Sequence, residues 1–404
     1  MVSDSARVVV TGVGAVSAFG VGAEALRSGL ERALRAGGVE EWEGLGRLAV
    51  ARVEGFEPER FLPPRTVRNN ERFTHLAAAA AELALTEAAL EPSALDPWRV
   101  GVIGGTSVGG PGDLIAGLER VQTGGPRRVG PHTIPRIIPN MAAGVIAEKY
   151  GFRGVNTTLT TASSAGLDAI GTALLALRDG EADVVLAGAS ESSLEPLLLA
   201  PLLRSGEVSR EAGRPFDRRR DGVTVAEGAA WLALERLEHA RARGARILAE
   251  VEGYGRALAA GSRLDGGALA DGLARAVAAA LADAGVEPDD LGGVVAHAAG
   301  SPRLDRAEAE ALRAALGEGL PPVTAPAGGL GYAMAASGAL EAAVAVLALE
   351  RGVLPPTAGW EEADPELGLT PVHDGGRPLA RARLLCTTAA LGGPCSAVIL
   401  AGWD

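Results

Sequence analysis

Ser163 stands in the stretch TTASSAGLDAIG, Thr160 to Gly171, where a run of apolar and Thr residues gives way to a helical pattern. A hydroxyl at such a junction meets the first helical N–H groups and the positive end of the helix dipole, which stabilise developing negative charge. A free hydroxyl is a weak nucleophile at neutral pH, so function turns on whether a base activates it. His297, in VVAHAAGS at the end of another apolar run, is the candidate base. The remaining histidines offer less: His75 and His239 fall on amphipathic helical patterns as surface or capping residues, and His132 and His373 lack metal-ligand spacing. Cys386 and Cys395 fall at strand and loop positions that suit small buried hydrophobes. Two cysteines make neither a disulfide scaffold nor a zinc cluster, and no metal or cofactor is expected.

The elements that must position Ser163 and His297 alternate between β and α. The pattern predicts strands at Arg7–Gly12, Val100–Ile103, Asn156–Leu159 and Asp183–Ala187. Between them it predicts helices over Glu24–Arg35, Arg72–Ala89, Leu114–Val121 and Met141–Tyr150, and one after Ser163. A second series follows: strands at Ile247–Gly253, Gly293–His297, Pro322–Thr324, Arg383–Thr388 and Ala397–Gly402, with a helix over Met334–Glu350. In each series a helix begins soon after the third strand, so the chain reads as a repeat, with halves at 1–245 and 246–404. Two such halves bring those helix starts together, and His297 with them. Long excursions are expected at Glu191–Thr224 and Ala257–Ala268.

The 404 residues are 47% hydrophobic but only 3% aromatic, with 56 glycines, so the interior must be Ala, Val, Leu and Ile in closely packed α/β layers. A formal net charge of −12 argues against nucleic acid, whose binding rests on neutralising phosphates. The run Arg218–Arg220 is read as a solvated loop with local ion pairs rather than an anion site. GGTSVGGPGD, after Ile103, lacks the Lys and Ser/Thr of a P-loop and the dinucleotide spacing, and is read as a close-packed turn. No signal peptide and no stretch of about twenty apolar residues is present, so a cytoplasmic location away from membranes is expected.

Several phrases, in order, resemble the β-ketoacyl synthases, condensing enzymes of the thiolase fold: RVVVTGVGAVSAFG, RFTHLAAAAAELAL, PNMAAGVIAEKYGFRG, GRPFDRRRDGVTVAEGAAWLALERLEHARARGA, AHAAGSPRLDRAEAEAL and GALEAAVAVLALERGVLPPT. The resemblance implies a thiolase-like, five-layer αβαβα fold of the α/β class with two pseudo-duplicated halves. It also implies a catalytic set of one Cys, two His and one Lys. Carried over by position, the Cys falls on Ser163, the first His on His297, the second His on Tyr332 and the Lys on Ala327. The Thr residues that follow the first His fall on Ala299 and Ser301, and the Phe that gates the nucleophile falls on Ala389. Asp305, Glu308 and Glu227 match retained structural and site-lining positions.

A scaffold kept while its chemistry is lost is similar to a chain-length factor, the ketosynthase-β subunit of type II polyketide synthases. That likeness implies a heterodimer with a ketosynthase-α, served by an acyl carrier protein bearing the polyketide, with a shared tunnel that limits product length. The tunnel would run along Ser107–Val121 and Thr133–Ile138, with Gly110, Leu114, Ile134 and Ile138 as lining positions and Ala389 at the gate. The dimer interface would centre on Asn156, Thr157, Thr158 and Leu159. The commonest residue of that subfamily at the nucleophile position is Gln, and Ser163 departs from it. The alternative reading is a stand-alone acyltransferase or hydrolase that uses Ser163 with His297.

Overall fold

The computed structural model describes residues 7–260, 266–317 and 319–403. The long sheet contains β1 (Val8–Ser17), β2 (Val100–Gly105), β3 (Asn156–Leu159), β4 (Val184–Glu191) and β5 (Gly228–Arg236). It continues with β6 (Ala249–Leu258), β7 (Gly293–Val295), β8 (Val323–Thr324), β9 (Arg383–Ala389) and β10 (Pro394–Gly402). Across the sheet the order is β8-β7-β9-β10-β6-β1-β5-β4-β2-β3, with the short strand Gly20–Val21 folded back on β1. Counted outward from the β1/β6 seam, both halves have the same order: first, fifth, fourth, second, third. The repeat expected from the sequence is therefore carried by the strand connections.

Helices of ten residues or more are α1 (Arg72–Glu87), α2 (Pro111–Gly124), α3 (Met141–Tyr150), α4 (Ala165–Arg178), α5 (Gly266–Ala284), α6 (Pro302–Leu316) and α7 (Ala335–Arg351). Helices α1 and α3 cover the outside of the first half-sheet, α5 and α6 the outside of the second, and α4 and α7 lie between them, which makes five layers. The two sheet layers are one folded sheet. β1 and β6 pair only from Val8 opposite Val251 to Val10 opposite Ala249. Register then shifts in both strands, between Val10 and Gly12 and between Val251 and Gly253. Bulges of this kind bend a strand, and here they let the layers part around α4 and α7.

Just past each bulge the outer helix lies on bare backbone. A Cβ at Gly12 or Gly14 would sit 2.1 Å from the Ala84 carbonyl oxygen or 1.8 Å from that of Ala80. Gly253 and Gly255 meet the carbonyls of Ala280 and Ala276 in the same way, at 2.5 and 2.1 Å. These approaches explain why the sequence is rich in Ala and Gly and poor in aromatics: larger side chains would force the layers apart. The middle helices cross as closely, since a Cβ at Gly166 would lie 2.4 Å from the Ala339 nitrogen. Residues of both halves, among them Val10, Leu167, Val344 and Leu400, share one buried cluster. We therefore propose 245/246 as the boundary between two repeats around a common core, not between independently folding units.

Some elements differ from expectation. The helix expected over Glu24–Arg35 is Ala23–Glu31, and Ala33 just beyond it is left-handed at φ 48°. Strand β5 was not expected, because GAAWLALER has the composition of a helix as much as of a buried strand. The excursion Glu191–Thr224 contains the helix Pro196–Arg204. Of the excursion Ala257–Ala268, residues 261–265 lie outside the described residues, and α5 has begun by Gly266. Among the described residues, no helix is long and apolar enough to cross a membrane.

Candidate active site

The turn that carries Ser163 is strained. After β3 the chain passes through Ala162 at φ 51°, a conformation uncommon for a residue with a Cβ, before the single 3-10 turn Ala162–Ser164 leads into α4. The other half repeats the device: Met334, at φ 44°, precedes the first residue of α7. Ser163 is fully buried, and its Oγ donates to the Ala389 carbonyl at 3.3 Å. Ser164 Oγ donates to the Pro394 carbonyl at 3.1 Å. Both hydroxyls are thus held by the two ends of the turn between β9 and β10, and the Ser163 proton points at a carbonyl rather than a base.

From the second half, the structure brings His297 and Tyr332 to this turn, their rings edge to face with centroids 5.6 Å apart. Burial raises the Tyr332 phenol to about 12, against a smaller lowering by the nearby Ser163 hydroxyl. At neutral pH it is a donor and no base. Ala327, where the family resemblance implies a Lys, packs with Tyr332, Ala299, Val50 and Val225 in a small apolar cluster. Ser301 is committed elsewhere: its hydroxyl donates to Glu207 at 2.6 Å and accepts the Leu304 N–H, capping α6.

His297 Nδ1 lies 2.9 Å from Glu341 Oε1, and its backbone N–H donates to Glu308 at the same distance. Burial alone would depress the imidazole, but Glu341, with Glu308 and Asp305, raises it above its ordinary value. The neighbouring carboxylates thus favour the protonated ring, while burial raises the Glu341 carboxyl in turn. His297 Nε2 and Glu341 Oε2 are buried without hydrogen-bond partners. The Ser163 hydroxyl donates to the Ala389 carbonyl and not to the imidazole, so as it stands the arrangement does not pair the hydroxyl with a base.

Asp305 accepts the N–H groups of Phe216, Ala299 and Gly300, and Glu227 accepts that of Val53 while pairing with Arg72 at 2.7 Å. These carboxylates build the loops around the site. Cys386 and Cys395 are buried, and burial pushes their thiols up, that of Cys395 to about 12. Among the described residues no group of His, Cys, Asp or Glu has the arrangement of a metal site.

The expected tunnel and interface positions lie on the first half. Leu114 is 51% and Ile134 60% exposed, and Leu118, one helical turn beyond Leu114, is 58% exposed; Ile138 is half-buried. Gly110 has no room for a side chain: a Cβ there would lie 2.2 Å from the Arg136 carbonyl oxygen and 2.8 Å from the Glu71 carboxylate. Enlarging Gly110 disturbs this turn instead of narrowing a passage, so Leu114 is the position that can be enlarged. Glu71 anchors the start of α2 by accepting the Asp113 N–H at 2.7 Å, and burial, with the charges of Asp113 and Glu195, raises its carboxyl to about 7. Asn156–Leu159 forms the edge of the sheet, paired in parallel with β2 alone.

Sequence reasoning missed Glu341 as a site residue. Its signal was present: one carboxylate in the apolar run ALEAAVAVLAL, which a fold buries only with a partner.

The N-terminal domain model of β-ketoacyl synthases matches residues 5–240, and the C-terminal domain model matches residues 248–361. The chain is 35% identical over 431 residues to the tetracenomycin polyketide synthase ketoacyl synthase alpha subunit of Streptomyces glaucescens, covering 98% of this chain and 97% of that one. Among solved structures, the ishigamide ketosynthase/chain length factor matches with a TM-score of 0.92 at 32% identity, covering 98% of this chain and 99% of that chain. A type II polyketide synthase acyl-carrier protein in complex with its ketosynthase bound to the hexaketide matches at 0.86 and 30%, covering 98% and 99%. With both domains matched in order on a thiolase-like fold, the chain belongs to the β-ketoacyl synthase family and is a ketosynthase-like protein of the type II polyketide kind.

Proposed function

We propose that this chain is a chain-length factor, the ketosynthase-β partner of an active ketosynthase-α in a type II polyketide synthase, and that the pair works in the cytoplasm. The observation that carries the reading is the hydrogen bonding of Ser163: its hydroxyl donates to the Ala389 carbonyl, and the Tyr332 phenol beside it is no base at neutral pH. A serine hydroxyl ionises several pKa units above a thiol, whose ordinary value is near 8.5. Loss of a single proton-transfer group typically costs on the order of a hundredfold in rate. Condensation then falls to the partner, to which an acyl carrier protein brings the growing chain. The apolar face of Leu114, Leu118 and Ile134 points to solvent in the single chain, so it can line an enclosed tunnel only against a second chain.

Co-expression with a Cys-containing ketosynthase from the same gene neighbourhood tests the reading. A stable one-to-one complex is expected, with Leu114→Trp shortening the polyketide that the pair releases. A homodimer that condenses or hydrolyses acyl thioesters unaided contradicts it.

One observation favours the second reading, an acyltransferase or hydrolase built on Ser163. Glu341 orients His297 with its Nε2 unpartnered, as the acid of a Ser-His-acid triad would. That activity needs the neutral imidazole, so it would rise with pH, and it would leave Ser163 acylated in the isolated chain.

A further inference from the structure

A residue with a Cβ is strained in the left-handed region, so the surrounding structure must hold Ala162 at φ 51°. The second half shows one way: beside left-handed Met334, the Ala333 N–H donates at 2.9 Å to the hydroxyl of Ser337, in the first turn of α7. In the first half the tie runs to Asp168, in the first turn of α4. Asp168 is 6% exposed, and among the described residues its hydrogen-bond partners are three hydroxyls and no cation. Its Oδ2 accepts from Thr161, the residue just before Ala162. Its Oδ1 accepts from Tyr254 at 2.7 Å and from Ser396.

These partners come from separate elements: Thr161 leads out of β3, Tyr254 stands on β6 and Ser396 on β10. The Tyr254 ring packs so closely on α4 that a Cβ at Gly171 would lie 2.3 Å from it, which brings the phenol to Asp168. Burial, and then the Asp168 charge, raises that phenol above its ordinary value, so it stays a donor. Ser396 follows Pro394 by two residues, and the Pro394 carbonyl accepts from Ser164, so one carboxylate fixes both the Ser163 turn and the strand that meets it. A buried carboxylate without a counter-ion is stable only when donors satisfy it, and each of those donors would in turn be costly to leave unmet. We infer that Asp168 is a positioning residue: through Thr161 it holds the strained turn that sets residue 163 at the start of α4, and through Ser396 it ties that turn to β10. The role is the same whether residue 163 is an idle hydroxyl or a nucleophile, so it does not depend on the chain's pairing role.

A thiol at position 163 reports the position of the turn, because a thiolate at a helix start forms more easily than one displaced from it. The test is alkylation by iodoacetamide, over a range of pH, of the full-length chain carrying Ser163→Cys. Peptide mass spectrometry follows residue 163 separately from the buried Cys386 and Cys395. Adding Thr161→Val removes the hydroxyl that reaches Asp168 and should move the midpoint of the pH–rate profile up by about one pH unit. Adding Thr161→Ser instead, which keeps a hydroxyl there, should leave the midpoint where it was. Asp168→Leu should also move it up. Loss of a negative charge by itself would move it down, so an upward move reports position and not charge. If Asp168→Leu fails to fold, the two Thr161 variants still decide the question. The same profile with and without the Thr161 hydroxyl, absence of reaction in both included, would overturn the assignment. So would a downward move with Asp168→Leu, or a Thr161→Ser profile that matches that of Thr161→Val.

Discussion

The two halves share a strand order and open their buried helices alike, with Ala162 left-handed before one and Met334 before the other. They differ at their third strands. In the second half β8 is buried, and the chain closes its edge: the Val372 N–H donates to the Val323 carbonyl at 2.7 Å, and the Thr357 N–H to the Val372 carbonyl at 2.6 Å. In the first half β3 is only partly buried, Thr158 Oγ1 is buried without a partner, and the neighbouring α2 turns apolar residues to solvent. One repeat completes itself, while the other leaves an edge of the kind that soluble proteins cover. The chemistry follows the same division. The second half keeps His297 with its carboxylates, whereas the first half brings Ser163, whose hydroxyl donates to the Ala389 carbonyl.

The largest expected effect comes from the open edge. The Val155 and Leu159 carbonyls bond the neighbouring strand, so by alternation residues 156 and 158 point their backbone groups outward. Thr158→Pro removes one outward donor. It should weaken pairing with a ketosynthase-α by on the order of a hundredfold, read by analytical ultracentrifugation, with little change in the circular dichroism of the single chain. Unchanged pairing would mean that the two edges differ for another reason.

Next is the crossing between the halves. Gly166→Ala puts a methyl where the Ala339 nitrogen lies 2.4 Å away, and should lower the chain's stability to urea by about 2 kcal/mol. A loss that small substitutions elsewhere in α4 match equally would show that the crossing is not close.

The smallest effect concerns Glu71, at the start of the exposed apolar helix. Its carboxyl titrates near 7 when folded against an ordinary 4.5, so between those values the folded chain holds the extra proton and stability declines as pH rises. Glu71→Gln should flatten that decline in denaturation curves from about pH 5 to about pH 8. A wild-type curve with no slope there would count against a raised carboxyl.

Much of this comparison was legible in the sequence. The strand–helix alternation and the repeat follow from period, and the resemblance to the β-ketoacyl synthases singled out Ser163 with Ala389, and His297 and Ala327 with Tyr332, which the structure places side by side. The closure of one edge and not the other was not legible, because it depends on which distant segment reaches the sheet, and Thr357–Val372 has no strand-like alternation. Strand β5 was hidden by its Ala- and Leu-rich composition. Arg220 was hidden by its neighbours: three consecutive arginines read as one patch, and only tertiary packing turns the third inward, where it pairs with Asp364. That Gly110 has no room for a side chain was not legible either, because it depends on the Arg136 carbonyl packed against it.

In the proposed role, condensation does not pass through this chain's own hydroxyl. The rate of chain extension by the reconstituted pair carrying Ser163→Ala decides it: the rate of the unmodified pair is expected, whereas a loss of about tenfold or more, with the complex intact, would show that Ser163 takes part in the chemistry.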